Sequence, residues 1–281
     1  MAAVVVVSLL IASANASAAW QQIAVFLSLQ GKPEPASANV LSTHHTEALD
    51  GMSPQQQAEF LLERSINHYD GANREIEARL DGWRGKLEPG ERFEALFRMA
   101  INSDDVRVRA AAVELNILTR KLEKSAETMD RLEPLARTAA QGLRANALWD
   151  LGLLGGRGIE PARVFEIVLA STHDDNVNVR YWAVEGLAYL ATDETIEPLL
   201  RIFHDDPSPM IRERAACSLA QSGMLRREQR MTAVPTLLDY ASDMALDGQT
   251  RGWVFQALRD ITGQSLPPDP GAWRKWYDGQ R

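Results

Sequence analysis

The chain is predicted to be an all-α solenoid. Three observations predict it: an arginine that recurs at near-constant intervals, apolar columns locked to that arginine, and acidic residues ahead of most of the repeated segments. The arginines are Arg109, Arg144, Arg180, Arg212 and Arg251, separated by 35, 36, 32 and 39 residues. Three positions on stand Ala112, Ala147, Ala183, Ala215 and Val254. Seven positions on stand Asn116, Leu151, Leu187, Leu219 and Leu258, a column that only Asn116 breaks. A period of this length with one helix-like pattern per unit belongs to stacked helical units, each burying its apolar face against its neighbours. The expected architecture is a right-handed superhelix of about five two-helix repeats with a helical cap at each end.

Taken in order, the N-terminus comes first. No charged side chain precedes Lys32, and residues 2–12 (AAVVVVSLLIA) are almost wholly apolar. Ala14-Asn15-Ala16 and Ala16-Ser17-Ala18 then fit the small-x-small pattern of signal cleavage. Residues 1–29 are expected to be a signal peptide or an N-terminal membrane anchor, which makes the body exported, periplasmic or membrane-anchored. Residues 30–52 carry two prolines and small polar residues without a sustained helical period, and are expected to be a flexible tether. Residues 53–90 are expected to form N-terminal capping helices. Ser53-Pro54 is an N-cap followed by proline at the first helical position, with Phe60, Leu61 and Ile66 forming a stripe behind it. A second helix is expected over Arg74 to Trp83, and a third over Glu91 to Ile101, with Phe93, Leu96, Phe97 and Ala100 on one face.

The repeats are expected over residues 91–265. Glu133-Pro134, Glu160-Pro161, Glu197-Pro198 and Val234-Pro235 each open an apolar run, because proline at the start of a helix removes an N–H that has no intrahelical partner. These runs are the first helices of the units. The arginine-bearing second helices are expected over 106–118, 143–154, 177–191, 209–221 and 249–262. Asp105, Asp175, Asp206 and Asp247 precede four of them, and aspartate there caps free N–H groups at the positive end of the helix dipole. The Arg144 unit lacks such an aspartate. Residues 266–281 follow Leu266-Pro267-Pro268-Asp269-Pro270 with Trp273 and Trp276, three apart on one face of a short helix that is expected to cover the open end of the stack.

The segments Val108-Arg109-x-x-Ala112, Val179-Arg180-x-x-Ala183 and Ile211-Arg212-x-x-Ala215, each after acidic residues, resemble HEAT or HEAT-like repeats. The short bacterial type named after phycobilisome lyases is among them. The resemblance implies an Asp–Arg ladder between adjacent units, here Arg109, Arg144, Arg180, Arg212 and Arg251 with Asp105, Asp175, Asp206 and Asp247. It also implies that the second helices line a concave groove, and that the chain is a non-catalytic scaffold for a protein or peptide partner.

Composition narrows the function further. Lys plus Arg is 30 against 38 for Asp plus Glu, a formal charge of -8, and no basic block is rich enough to follow a phosphate backbone. Nucleic acid is therefore not an expected partner. The single cysteine, Cys217, excludes an intramolecular disulfide and a Cys-based zinc site. None of the common catalytic or nucleotide-binding fingerprints is present, so no catalytic residue and no cofactor is expected. The repeated His173-Asp174-Asp175 and His204-Asp205-Asp206 have two readings, a divalent metal site between neighbouring units or cations and caps at helix ends. The second is favoured, and no metal site is expected.

Seen down each second helix, the core positions span about 80° and the arginine borders them, so the residues one, two and five positions after the arginine face outward. These diverge between units while the core columns agree. Trp149, Tyr181, Trp182, Glu185, Arg214 and Trp253 are the candidate contact set, since aromatic residues and arginine dominate interface hot spots. The competing reading is that the tryptophans fill space between adjacent units. Two further functional readings remain: a lyase- or chaperone-like accessory factor that acts on a cofactor-carrying protein through Cys217, and a purely structural envelope scaffold.

Overall fold

The computed structural model describes residues 39–138 and 140–280. The apolar N-terminal segment read as a signal or anchor, and the first part of the tether, lie outside the described residues. Among the described residues no helix is long and apolar enough to cross a membrane.

Five helices form an N-terminal unit: α1 (Thr43–Asp50), α2 (Pro54–Ile66), α3 (Ala72–Trp83), α4 (Glu91–Ile101) and α5 (Val106–Thr119). They share a core of Leu49, Leu61, Leu62, Ile76, Trp83, Phe93 and Leu115. Helix α1 corrects the expected tether. Ser42 and His45 form a reciprocal capping box at its start. Leu49 is fully buried at its end, and Gln57 Nε2 donates to the Leu49 carbonyl at 2.8 Å. Eight residues held by one buried leucine are too short to show a hydrophobic period, which is why the sequence reads as a linker there.

The stack follows as four helix pairs: α6 (Ala126–Ala136) with α7 (Gln141–Gly155), α8 (Pro161–Ser171) with α9 (Val177–Leu190), α10 (Ile196–Asp205) with α11 (Pro209–Ala220), and α13 (Val234–Ser242) with α14 (Gly248–Thr262). A five-residue helix α12 (Arg227–Met231) precedes the last pair. Pro161 and Pro235 sit in the first turn of their helices as expected. Pro134 does not: Ser125 caps α6 nine residues earlier, and the proline lies near the helix's C-terminal end, where its missing N–H faces an exposed turn. One continuous core runs through the four pairs, from Met129 to Trp273.

The second helices α7, α9, α11 and α14 run parallel. Gly152 faces Gly186 and Gly155 faces Leu190; Glu185 meets Arg214; Arg212 meets Thr250 and Gln221 meets Asp260. Partner numbers rise together for α7 with α9 and for α11 with α14, and Arg180–Asp206 followed by Glu185–Arg214 runs in the same sense between α9 and the α11 segment. Helix α5 runs the other way. Trp149 and Asp150 of α7 bond Asn116 and Arg120, whereas Arg157, beyond the end of α7, reaches back to Glu114 and the Ala110 carbonyl. The Arg109 segment is therefore not a fifth unit in register, and the regular stack is four pairs long. Instead α5 lies across the face of α7 that points away from the first helices. A small core of Val106, Val113, Ile117, Trp149, Leu153, Tyr189 and Met224 seals that contact.

Glycines set how closely the second helices approach. A Cβ at Gly152 would lie 2.6 Å from Gly186 Cα, and one at Gly186 would lie 3.0 Å from the Leu148 carbonyl oxygen. Helices α7 and α9 thus touch backbone to backbone. The second helices pack more closely on each other than the first helices do, so the second-helix layer is the inner side of the curve. Helix α15 (Pro270–Asp278) closes the far end: Trp273 is fully buried against the stack, and its Nε1 donates to the Pro267 carbonyl at 2.9 Å.

Candidate functional site

Two surfaces carry the sequence-predicted residues: the edge where the second helices begin, and the inner face. At the edge, three arginines bind loops of the following unit. Arg144 Nη2 donates to Asp174 at 3.2 Å, Arg180 Nε to Asp206 at 2.8 Å, and Arg212 Nη2 to Asp247 at 3.0 Å. Arg180 and Arg212 also donate to main-chain carbonyls of their own loops, at Asp174 and Asp206. A ladder therefore exists with three rungs, and its acidic members are Asp174, Asp206 and Asp247.

Four members of the expected ladder stand elsewhere. Asp175 is displaced by its neighbour Asp174, and the cap of α9 is Asn176, which accepts from Asn178 and Val179. Asp105 caps α5 and holds Arg107. Burial works against its charge, but the bonds to Arg107 prevail and hold its carboxyl below the usual range. Arg251 has no following unit, and its Nη1 lies 3.6 Å from Met244 Sδ. Arg109 is the larger departure. Because α5 is reversed, its guanidinium lies at the opposite edge, 3 % exposed, donating to the carbonyls of Ser103 and Gly223.

Gly223 belongs to a strap, residues 221–226, that doubles back after α11 over the end of α9. Met224 N donates to the Ala188 carbonyl at 2.8 Å, and only glycine fits at 223, where φ is +69° and a Cβ would lie 2.5 Å from the same oxygen. Arg230, also buried, donates to the carbonyls of Leu225 and Ser222. Burial, with Arg109 as a like charge nearby, pushes its pKa down to about 10. Sequence reasoning missed the strap and the glycine seam. The available signal was glycine inside runs that otherwise read as helix, which marks close backbone approach.

On the inner face the six candidate contact residues divide. Trp149 is buried beneath α5, its Nε1 bonded to Asn116 Oδ1 at 3.1 Å and its ring 4.8 Å from Tyr189. Glu185 is 6 % exposed and ion-paired with Arg214. Burial pushes the Glu185 carboxyl up, with Arg214 pulling the other way, and burial likewise raises the Tyr181 phenol. Trp149 and Glu185 are thus buried side chains that offer no surface on the inner face. Tyr181, Trp182, Arg214 and Trp253 are partly buried, packed against the core with part of each side chain open to solvent. Tyr181 and Trp182 stand edge to face at 5.6 Å, and the Arg214 guanidinium lies 5.9 Å from the Tyr181 ring centre. Trp182, Arg214 and Trp253 each stand two positions after their repeat arginine, so they form a row across α9, α11 and α14.

Beside this row, Cys217 is half-buried, and burial raises its thiol pKa despite Arg214 nearby. At the edge, the two His-Asp-Asp loops do not converge on one point. His204 bridges Asp205 and Asp243, while His173 Nδ1 meets Thr172 Oγ1. Among the described residues no group of three or more His, Cys, Asp or Glu is arranged to hold a metal ion.

The family profile described as HEAT repeats matches residues 129–220 and again 165–259, within the four parallel pairs and clear of the reversed α5. A solved engineered protein, Northeast Structural Genomics Consortium Target OR329, is 16% identical, with a TM-score of 0.36 over 80% of this chain and 94% of that one. No curated protein matches the chain.

Proposed function

This chain carries a HEAT-repeat domain, and we propose that it is a non-catalytic scaffold binding a protein or peptide on the inner face of α9, α11 and α14. HEAT repeats are protein-interaction modules in general. The observation that carries the reading is the partly buried row of Trp182, Arg214 and Trp253 with Tyr181 at its side. Arg214 is pre-oriented by the buried Glu185, which lowers the cost of ordering it in a complex. Aromatic anchors around an arginine are the composition of an interface centre. Helix α5 covers the same face over α7, so the open part of the groove is its C-terminal half.

The test is affinity capture from host extract with the full chain, comparing wild type with Trp182→Ala/Trp253→Ala after circular dichroism shows both folded. A stoichiometric partner held by wild type and lost by the variant supports the reading; equal recovery by both refutes it. The accessory-factor alternative needs a reactive thiol at Cys217, and a raised pKa without an adjacent base disfavours it. The apolar residues 2–12 support export or membrane tethering of this scaffold, which an alkaline phosphatase fusion in the host would report.

A further inference from the structure

The strap of residues 221–226 brings together two buried cations that have no bonded counter-charge. Arg109 and Arg230 are 3% and 6% exposed. Arg109 Nε donates to the Gly223 carbonyl at 2.9 Å and Arg230 Nη2 to the Ser222 carbonyl at 2.8 Å, so the two guanidinium groups sit on successive peptide groups. Among the described residues neither forms a salt bridge. Asp104 and Asp105 act on Arg109, and Asp260 on Arg230, only through space. Asp105 is held by Arg107, and Asp260 by Gln221 and Gln256.

Carbonyl oxygens satisfy N–H groups without cancelling the charge, and a buried charge without a counter-charge is costly. The C-terminal ends of α9 and α11 lie at the strap, where Met224 N meets the Ala188 carbonyl and Ser222 N the Cys217 carbonyl. Each helix end supplies about half an elementary negative charge, which leaves the pair of arginines positive. Donors are also left over at the same place. Arg230 uses Nε and Nη2, and its Nη1 is buried without a partner. Ser222 Oγ is buried without a partner although the residue is partly exposed, so its hydroxyl is turned inward. Arg109 donates through Nε and Nη1, which leaves its Nη2 free. Buried donors are almost always satisfied, and these three stand on one strap beside excess positive charge.

We propose that a small monovalent anion of the halide class binds at the strap between Arg109 and Arg230, accepting from Arg230 Nη1, Ser222 Oγ and Arg109 Nη2. The residual charge after the helix ends are counted suits one negative charge, and the close packing around the strap suits a compact ion over an oxyanion or a carboxylate side chain. The ion ties α5, through Arg109, to the strap over the end of α9, and so holds the N-terminal unit onto the stack. The site is separate from the inner-face row and does not depend on that reading.

The experiment is urea unfolding of the full chain, followed by circular dichroism, as sodium chloride replaces sodium gluconate at constant ionic strength; gluconate is too large for the site. The wild-type midpoint is expected to rise with chloride and to level off, as ligand binding to the folded state requires, and bromide should act as chloride does. Arg230→Gln removes one charge and Nη1 and is expected to abolish the chloride dependence. Ser222→Ala keeps both charges and every carbonyl bond, so it tests the site even where Arg230→Gln does not fold. It should raise the half-saturating chloride concentration at least roughly tenfold, the loss of one hydrogen bond to a charged group. A wild-type midpoint that is the same in chloride and gluconate would mean that water fills the donors, and it overturns the inference. So does a chloride response that never levels off, or one that Ser222→Ala leaves unchanged.

Discussion

Replacing Gly152 by alanine probes the seam on which the inner layer is built. The added methyl would lie 2.6 Å from Gly186 Cα and 2.7 Å from Gly186 O, where carbon atoms rest at about 3.5–4.0 Å. Both are backbone atoms of a packed helix, so relief requires α7 and α9 to part by roughly 1 Å. Alanine is the better helix former by about 1 kcal/mol. Overpacking costs about 1–3 kcal/mol, and parting the helices also loosens Leu151, Val184 and Leu187, all fully buried in the shared core. The overlap with main chain puts this substitution at the upper end, for a net loss of about 1–2 kcal/mol. Gly252→Ala is the internal control, because Gly252 is exposed within α14 with nothing within 4 Å of its would-be Cβ. It should gain about 0.5–1 kcal/mol. Urea unfolding followed by circular dichroism should rank the midpoints Gly252→Ala, wild type, Gly152→Ala. A Gly152→Ala protein as stable as wild type would show that the helices are not in backbone contact, and the account of the inner layer would fail.

Four further outcomes are expected. Arg180→Ala leaves the buried Asp206 without its cation and should cost about 3–5 kcal/mol; Arg251→Ala should stay within about 0.5 kcal/mol, and similar urea midpoints for the two would remove the ladder from the stability argument. Arg109→Ala takes the donor from the Gly223 and Ser103 carbonyls, a loss of about 1–3 kcal/mol, and should speed tryptic cleavage at Arg226 and Arg227; an unchanged cleavage rate means the strap is held elsewhere. Burial alone would lower the His204 pKa, but Asp205 and Asp243 raise it above the ordinary histidine value. The charged bridge is thus fully present below that ordinary value and is lost as pH rises through the raised one, so wild type should lose a small part of its stability as pH rises above the ordinary histidine range. His204→Gln should flatten that slope in urea midpoints. Cys217 should react with maleimide roughly tenfold more slowly in the folded chain than in urea, and equal rates would revive the accessory-factor reading.

The boundaries of α4, α5, α7, α9, α11 and α14 fall within about two residues of those read from the arginine and apolar columns, because helix period and caps are properties of neighbouring residues. Of the candidate contact set, the same projection placed all six residues on the outward phase and could go no further. Trp149 and Trp182 share that phase, yet one is buried under α5 and the other keeps part of its side chain open to solvent. Likewise Arg109 matches its column in sequence but not in space. A repeat motif encodes what a helix offers its neighbour, whereas the direction in which the neighbour runs depends on the loop and on what else covers it.

The sequence by itself determined the second helices, the unit length and a terminal helix carrying Trp273, since each follows from local spacing; the rungs at Arg180 and Arg212 were implied by the family resemblance. Only the tertiary structure decided that α5 is reversed, that the strap and α5 close part of the inner face, and that the first eight residues after Ser42 belong to the body. These depend on contacts between residues 8 to 114 positions apart. No periodicity reports such contacts, because they are set by the shape of the surfaces once the helices have formed.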